Sequence, residues 1–568
     1  MIQRILLQFQ KKKWKFILLG LIFALGIFLR TYHFGDWLLF EIDQSYDTRI
    51  VSEAIDNGIS NLPLLGPTAG GGRALRLGPA FYYMEYMSAL IFGNTPTGHA
   101  MLILLCSLLS LPLFFLLVRR YFSPTLSFFL FTLFSFSSYL VLYGRFSWSP
   151  NILPFLVTAF LYTLLKSVEK NTPHNDRWFL LFVAIATVAS QIHFNAFFTL
   201  PTIAVLFLLY KRPHFHLRTW FLAFGIIMLI YSPMILSDIS THGENIGFFL
   251  SKVSKSGDPF KNFLRTFTVD AHYMASGTLL VNTGIDHISG GRIRGYGFQN
   301  DENLMPRIIA LVFFFLSMIV LCFNILREKD VHRKDFFVLI FLGITISSAY
   351  FYSLLSSNFQ IFPRFYLLVV PLFIILPGIL LEKISVLRFG KILLIVLLFF
   401  MITPNVMRLY RHFYSLSHPF ETTSVEREDI FPNNKRLTLA EQEMITTSIK
   451  NNTPNKTLPV YINTFHEYEP VFWYHLNKQG IVYTDTIDEN NLYEQGYYFL
   501  IKYRDGGTRG IDHFTVETTQ DFGVLRVYTL RPKSEYIRAM RQDTSKSKLL
   551  KQITQIQALK TWRTYLLP

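Results

Sequence analysis

Long stretches of this chain exclude charge. Apolar runs recur at Phe16 to Leu29, His99 to Val118, Thr125 to Leu142, Ile152 to Leu165, Trp178 to Ile192, Ala196 to Tyr210, Trp220 to Leu236, Ile308 to Leu326, Phe336 to Leu355, Phe365 to Leu381 and Ile392 to Met407. Most are near the ~20 residues a helix needs to cross hydrocarbon. With 51% of its 568 residues hydrophobic and 16% charged, the chain lies outside the ordinary soluble range. The pattern predicts a polytopic α-helical membrane protein with about eleven transmembrane helices.

The charges that remain fix an expected orientation. If the amino terminus is cytoplasmic, the inner connections are Arg4 to Lys15, Arg119-Arg120, Lys166 to Arg177, Lys211 to Arg218, Arg327 to Lys334 and Lys383 to Lys391, and each carries Lys or Arg. The short outer turns around 144–151, 193–195 and 357–363 carry only Arg145, as the positive-inside rule requires. Three larger segments then fall outside: 30–96, 238–306 and everything after about Arg411. The net charge of +16 follows largely from this topology and from anionic lipid, so nucleic acid is not an expected partner. The first run has no small-residue cleavage site before Arg30 and reads as a retained helix. Cys106 and Cys322 both lie within spans, which leaves no disulfide framework and no cysteine metal site.

The expected organisation is a transmembrane module over 1–411, a small extracytoplasmic α/β domain over 412–532 and a basic tail over 533–568. In the first outer loop, 43–57 reads as an amphipathic interfacial helix stopped at Asn57-Gly58, which puts Asp43 and Asp47 one turn apart on one face. A second interfacial helix follows Leu77-Gly78-Pro79, with Pro79 suited to a first turn. In the carboxyl-terminal domain, Thr438-Leu-Ala-Glu441 is a capping box opening a helix, 458–462, 497–503 and 524–530 read as strands, and 469–477 reads as a helix. The tail reads as a basic helix at the lipid surface or as a solvated end.

The acidic cluster Glu41-Ile-Asp43-Gln44-Ser-Tyr-Asp47 stands out, because a carboxylate at a membrane face is costly. An outer-face enzyme that builds glycans cannot draw on cytoplasmic nucleotide sugars, and neither a P-loop nor a dinucleotide fingerprint is present. A sugar on a polyprenyl phosphate arrives in the membrane itself. Such a donor calls for a carboxylate to deprotonate the acceptor, cations on the leaving phosphate and an apolar groove for the tail. Phosphate leaves well once its charge is neutralised, so neither a general acid nor a cofactor is required.

Asp43-Gln44 in a loop helix, then Leu64-Leu-Gly66-Pro67, Leu77-Gly-Pro-Ala-Phe-Tyr-Tyr83 and Phe92-Gly93 together resemble the first outer loop of the GT-C superfamily, near its protein O-mannosyltransferase and aminoarabinose transferase branch. Gly144-Arg145-Phe-Ser-Trp148-Ser-Pro150-Asn151, Gln191-Ile-His193-Phe194 and Pro363-Arg364-Phe-Tyr366 are similar to later parts of that family. The resemblance covers about the first 410 residues. It implies an inverting glycosyltransferase that moves a sugar from a polyprenyl-phosphate donor to a glycan, lipid or protein hydroxyl. It puts the catalytic aspartate at Asp43, where the alternative is a helix cap. The family often has Asp-Glu where this chain has Asp43-Gln44, and Asp47 is the candidate replacement for the missing acid.

For the phosphate the candidates are Arg49, Arg73, Arg76, Arg145 and Arg364, although arginines also snorkel at helix ends without a ligand. Tyr82, Tyr83 and His193 are candidate substrate contacts, against ordinary interfacial anchoring for the tyrosines and a structural role for the histidine. Asp270-Ala-His272 and Asp286-His287 do not match a metal signature, and no metal is expected. Two rivals remain: a lipid or sugar transporter, disfavoured because charges sit at span ends, and a lipid-linked oligosaccharide ligase or polymerase using Arg292 and Arg294 of the long outer loop.

Overall fold

The computed structural model describes residues 13–68, 75–169, 174–254, 263–285, 304–357, 361–419, 436–466, 468–481, 483–485, 487–488, 492–504, 506, 511–539 and 559–566. The protein is mostly helical. After α1 (Lys13–Thr31), the first connection contains α2 (Ile42–Asn57) and α3 (Ala80–Phe92). The bundle continues through α4 (Pro96–Tyr121), α5 (Pro124–Phe136), α6 (Ser138–Tyr143), α7 (Leu153–Val168), α8 (Asn175–Ile192), α9 (Phe194–Lys211) and α10 (Leu217–Ser240). Next come α11 (Glu244–Ser254), α12 (Phe263–Thr283), α13 (Leu304–Arg327), α14 (Val331–Ser356), α15 (Val370–Ser385) and α16 (Gly390–Ser417).

Among the described residues, eight helices are long and apolar enough to cross a membrane. They carry the runs on α1, α4, α7, α9, α10, α13, α14 and α16. The other three runs lie on shorter or more polar helices: α5 and α6, α8, and α15 with its preceding 3-10 turn Pro363–Leu368. This is a multi-pass membrane protein.

The run Thr125 to Leu142 is broken at Ser137, and the backbone groups freed there find partners, as a membrane interior demands. Ser138 N and Oγ donate to Asn405 Oδ1 at 2.7 and 2.9 Å. Arg30, fully buried at the end of α1, donates to Ser135 O at 2.9 Å. Near the middle of the bundle α5 and α15 approach so closely that a Cβ on Gly378 would meet Leu130 at 2.8 Å, the use of small residues common between membrane helices.

One architectural feature escapes hydropathy. The connection over 238–306 is not only loop, because α12 packs among α13, α14, α15 and α16. Ser348 Oγ of α14 donates to Asp270, and Asn282 Nδ2 donates to Phe373 O of α15 at 2.9 Å. Asn405 Nδ2 of α16 donates in turn to Asn282 O at 2.9 Å. The polar residues that make α12 read as loop are those that fasten it inside the bundle.

The two ends of the bundle differ in chemistry. At one end lie the ion pairs Arg120–Glu169 at 2.8 Å, Lys211–Asp335 at 2.6 Å and Arg333–Glu382 at 2.7 Å. The first connection and the carboxyl-terminal domain lie at the other, hereafter the site end.

That domain comprises α17 (Leu439–Asn451), β1 (Val460–Asn463), α18 (Glu469–Lys478), β2 (Tyr483–Asp485), β3 (Leu492–Tyr493), β4 (Tyr497–Tyr503), β5 (Phe514–Phe522), β6 (Leu525–Pro532) and β7 (Ile537–Ala539). Five strands form a mixed sheet in the order β2-β1-β4-β6-β5, with β1 parallel to both neighbours and β6 antiparallel to both of its own. The expected capping box is present: Glu441 accepts from Thr438 N at 2.7 Å and Thr438 Oγ1 accepts from Glu441 N at 3.3 Å. The domain grips the chain leading into α2. Ala440 N donates to Asp36 O at 3.1 Å, Gln442 Nε2 to Phe40 O at 2.8 Å and Arg436 to Trp37 O.

Candidate active site

Helix α2 opens with a capping box of its own. Gln44 Oε1 accepts from Glu41 N at 3.0 Å, and the Glu41 side chain takes the backbone N–H of Gln44. Glu41 is therefore the cap, and the Gln44 that replaces a familiar Glu is buried in that box. Asp43 is released from capping. Its side chain is exposed on one side and walled by Trp148 and Arg364 on others. Crowding by protein raises the Asp43 carboxyl above its ordinary value, while the Arg364 charge and a hydrogen bond from the Trp148 indole pull it back. Arg364, on the turn before α15, is sandwiched among rings, with its guanidinium carbon 5.3 Å from the Trp148 centroid and 4.9 Å from that of Phe362.

One helical turn on, Asp47 is buried, and Tyr82 of α3 donates to its Oδ1 at 3.0 Å. Burial, then the negative charges of Glu85 and Asp43, push the Asp47 carboxyl well above the usual carboxylate range, more than Tyr82 and Arg76 can offset. Two neighbouring carboxylates thus sit in different environments, one open and one closed, which separates their roles.

Arg76 reaches the site on a short hairpin. Gly66 N donates to Leu77 O at 2.8 Å, Leu77 N to Pro67 O at 2.9 Å, and Arg76 Nη1 to Gly66 O at 3.2 Å. A Cβ on Gly66 would lie 2.0 Å from Gly78 O, and one on Gly78 would lie 2.4 Å from the Gln191 side chain. Both Gly-Pro pairs are therefore dictated by close approach.

Other sequence candidates are occupied elsewhere. Arg145 donates to Leu29 O, Arg30 O and Tyr32 O at 3.1, 2.9 and 2.6 Å, closing the end of α1. Arg49 lies 3.5 Å from the Trp473 ring centroid and so joins α2 to α18. Tyr83 donates to Pro63 O at 3.0 Å. His193 takes the Asn195 N–H at 3.2 Å on Nδ1, at the turn between α8 and α9, with its ring 5.6 Å from Phe365. Burial and the nearby Arg364 lower the imidazole to about 3, so it stays neutral. Asp270 and His272 diverge, the latter onto Thr268 O at 2.6 Å. Arg73, Asp286, His287, Arg292 and Arg294 lie outside the described residues.

Comparison with known proteins follows the same lines. Residues 77–236 match the family model described as dolichyl-phosphate-mannose-protein mannosyltransferase. ArnT from Cupriavidus metallidurans in the apo state superposes over 94% of this chain and 100% of its own, with a TM-score of 0.51 at 11% identity. The chain has the fold of a GT-C membrane glycosyltransferase. The same ArnT bound to undecaprenyl phosphate gives a TM-score of 0.49 at 12% identity, covering 93% of this chain and 100% of that one. The archaeal oligosaccharyltransferase AglB from Archaeoglobus fulgidus, in complex with an inhibitory peptide and a dolichol-phosphate, gives 0.46 at 11% identity, covering 82% and 64%. No curated protein matches the sequence.

Within this GT-C fold the structure adds residues that the sequence reading passed over. Trp148 was noted only as part of a motif, yet it touches Asp43. Glu85, hidden in an aromatic run of α3, is fully buried and accepts from Ser147 Oγ at 2.7 Å, one residue from Trp148. Its Oε1 lies 3.6 Å from His99 Nδ1. His99 Nε2 lies 3.0 Å from Asn94 Oδ1, which accepts from Ser52 Oγ at 2.7 Å. Among the described residues no three His, Cys, Asp or Glu side chains gather as a metal site.

Proposed function

We propose that this chain is an inverting glycosyltransferase that moves a sugar from a polyprenyl-phosphate donor to a hydroxyl of a glycan, lipid or protein acceptor at the outer face of the cell membrane. The observation that carries this reading is the Asp43 carboxylate, open on one side, bordered by Trp148 and faced by Arg364 at the end of a membrane bundle. Burial and two neighbouring carboxylates raise the Asp47 carboxyl well above the usual range, whereas Asp43 is open on one side and faced by Arg364, which favours Asp43 as the base. As the acceptor oxygen bonds to the anomeric carbon from the face opposite the phosphate, its proton passes to Asp43. The bond from the anomeric carbon to the phosphate oxygen breaks, and the electron pair leaves with the polyprenyl phosphate. Arg364 and Arg76 supply the positive charge that favours this departure.

The donor class is supported by the dolichyl-phosphate-mannose family match over 77–236. The orientation is supported by the Arg and Lys residues at the end opposite the site, which the positive-inside rule assigns to the cytoplasm together with the amino terminus. The sheet domain is then extracytoplasmic.

The test is transfer from radiolabelled polyprenyl-phosphate hexoses by purified protein in lipid, comparing wild type with Asp43→Asn. A loss of about 10²-fold or more with donor binding retained is expected for removal of a general base. Equal turnover in the variant would remove Asp43 from that role.

A further inference from the structure

The last described segment of the chain returns to the first connection, some five hundred residues away in sequence. Leu64 N donates to Lys560 O at 2.9 Å, Trp562 N donates to Leu62 O at 3.2 Å, and Pro63 pairs antiparallel with Thr561. Trp562 Nε1 donates to Tyr83 Oη at 2.8 Å, and that same hydroxyl donates to Pro63 O. Beyond it, Tyr565 Oη donates to Leu236 O near the end of α10 at 3.1 Å.

These bonds fall on the chain just before the hairpin that presents Arg76. A two-stranded hairpin alone is marginal in water and needs a further strand or a packed face. One brace is Asn245 at the start of α11. Its Oδ1 accepts from Arg76 N at 2.9 Å, and its Nδ2 donates to Arg76 O at 3.2 Å. Asp238 Oδ1 in turn holds Asn245 N at 3.0 Å, which ties that brace to α10. The other brace is 560–562, which extends the ladder on the side of 62–64. Both are anchored to the same end of α10, one through Asp238 and the other through Tyr565 and Leu236.

We infer that segment 559–566 is a built-in strap that positions the Arg76 hairpin for donor binding, with Trp562 as its positioning residue. The inference rests on the proposed reading of the site and goes beyond it in giving the carboxyl terminus a part in the reaction. Among the described residues the strap's hydrogen-bond partners elsewhere in the chain are Leu62, Leu64, Tyr83 and Leu236, and none of these is on α2 with Asp43, beside Trp148, or on the 363–368 turn with Arg364. Loss of the strap therefore raises KM for the donor and lowers kcat only through Arg76, by far less than Asp43→Asn does.

The test uses the full chain carrying a protease site within 541–558, folded and purified before cutting, so that folding is complete when the strap is released. After the released peptide is removed, hydrogen exchange is followed at 62–68 and 75–78, and KM and kcat are measured with a radiolabelled polyprenyl-phosphate hexose. Faster exchange in the hairpin, a several-fold higher KM and recovery of both on adding a synthetic 557–568 peptide are expected. A Trp562→Ala peptide is expected to fail in that rescue. Unchanged exchange after strap removal overturns the proposal, whether or not turnover falls. Faster exchange with an unchanged KM overturns the link to donor binding. If the intact protein turns over no donor, the exchange and peptide-rescue arms still decide whether the strap positions the hairpin.

Discussion

Trp148 borders the Asp43 carboxylate and pulls it down, while its ring centroid lies 5.3 Å from the Arg364 guanidinium. One side chain therefore adjoins both the proposed base and the cation that faces it.

Trp148→Phe keeps the ring and removes the donor. The Asp43 carboxyl then rises further, and because the base acts when deprotonated, the acid limb of the kcat/KM profile moves to higher pH. A pH–rate profile in proteoliposomes measures this, and an unmoved acid limb would count against the assignment.

Arg364 pulls the Asp43 carboxyl down by its charge. Arg364→Gln is expected to lose on the order of 10²-fold in kcat/KM, as when a donor to developing negative charge is removed. Arg364→Lys recovers part of this, because it restores charge without the planar fork. Steady-state kinetics of the two variants side by side separate charge from shape.

Asp47 gives a prediction about stability. Its carboxyl is raised in the folded protein, so above the ordinary value near 3.9 the unfolded chain sheds a proton that the folded chain keeps. Stability from this group is full below that pH and is lost as pH rises toward the folded-state value. Asp47→Asn keeps an acceptor for Tyr82 and abolishes the titration. Thermal unfolding in detergent should fall between pH 4 and pH 7.5 by less in the variant than in wild type. Parallel slopes would sink the idea.

Arg145 is one of five arginines that the sequence offers as candidates for the phosphate, and its three carbonyl partners argue for a bracing role. Arg145→Ala leaves the end of α1 uncapped and costs about 2–4 kcal/mol in stability. The folded fraction retains donor KM within about twofold, a change too small for loss of a phosphate contact. Measuring both on the same preparation distinguishes a brace from a ligand.

Much of this arrangement is written locally. The α2 helix, the capping box at Thr438, and the strands at 460–463, 497–503 and 525–532 lie within two residues of their expected limits, because each rests on nearest-neighbour chemistry. Strand β5 was missed, since its burial pattern exposes most of its residues and offers no apolar alternation. Helix α12 was read as loop because its Asp270, Asn282 and threonines lower its hydropathy, and only the folded bundle supplies their partners. At the site, Asp43 stood out as a charge near lipid. The division of labour among Glu41, Gln44 and Asp43 did not, because deciding which carboxylate caps a helix takes its actual first turn. Glu85 and Trp562 were not singled out, since what they do depends on residues 62 and 479 positions away.

The grip of the sheet domain on 36–40 bears on how such proteins can diverge or be recombined. A border drawn where hydropathy changes cuts through a set of bonds on the chain leading into α2, the helix that carries Asp43. Chimaeras that exchange the domain at that border are expected to transfer poorly, whereas those that carry 36–57 along with 436–479 keep both sides of the joint. The heritable unit of the proposed site is discontinuous, made of an early loop and a late domain that must change together.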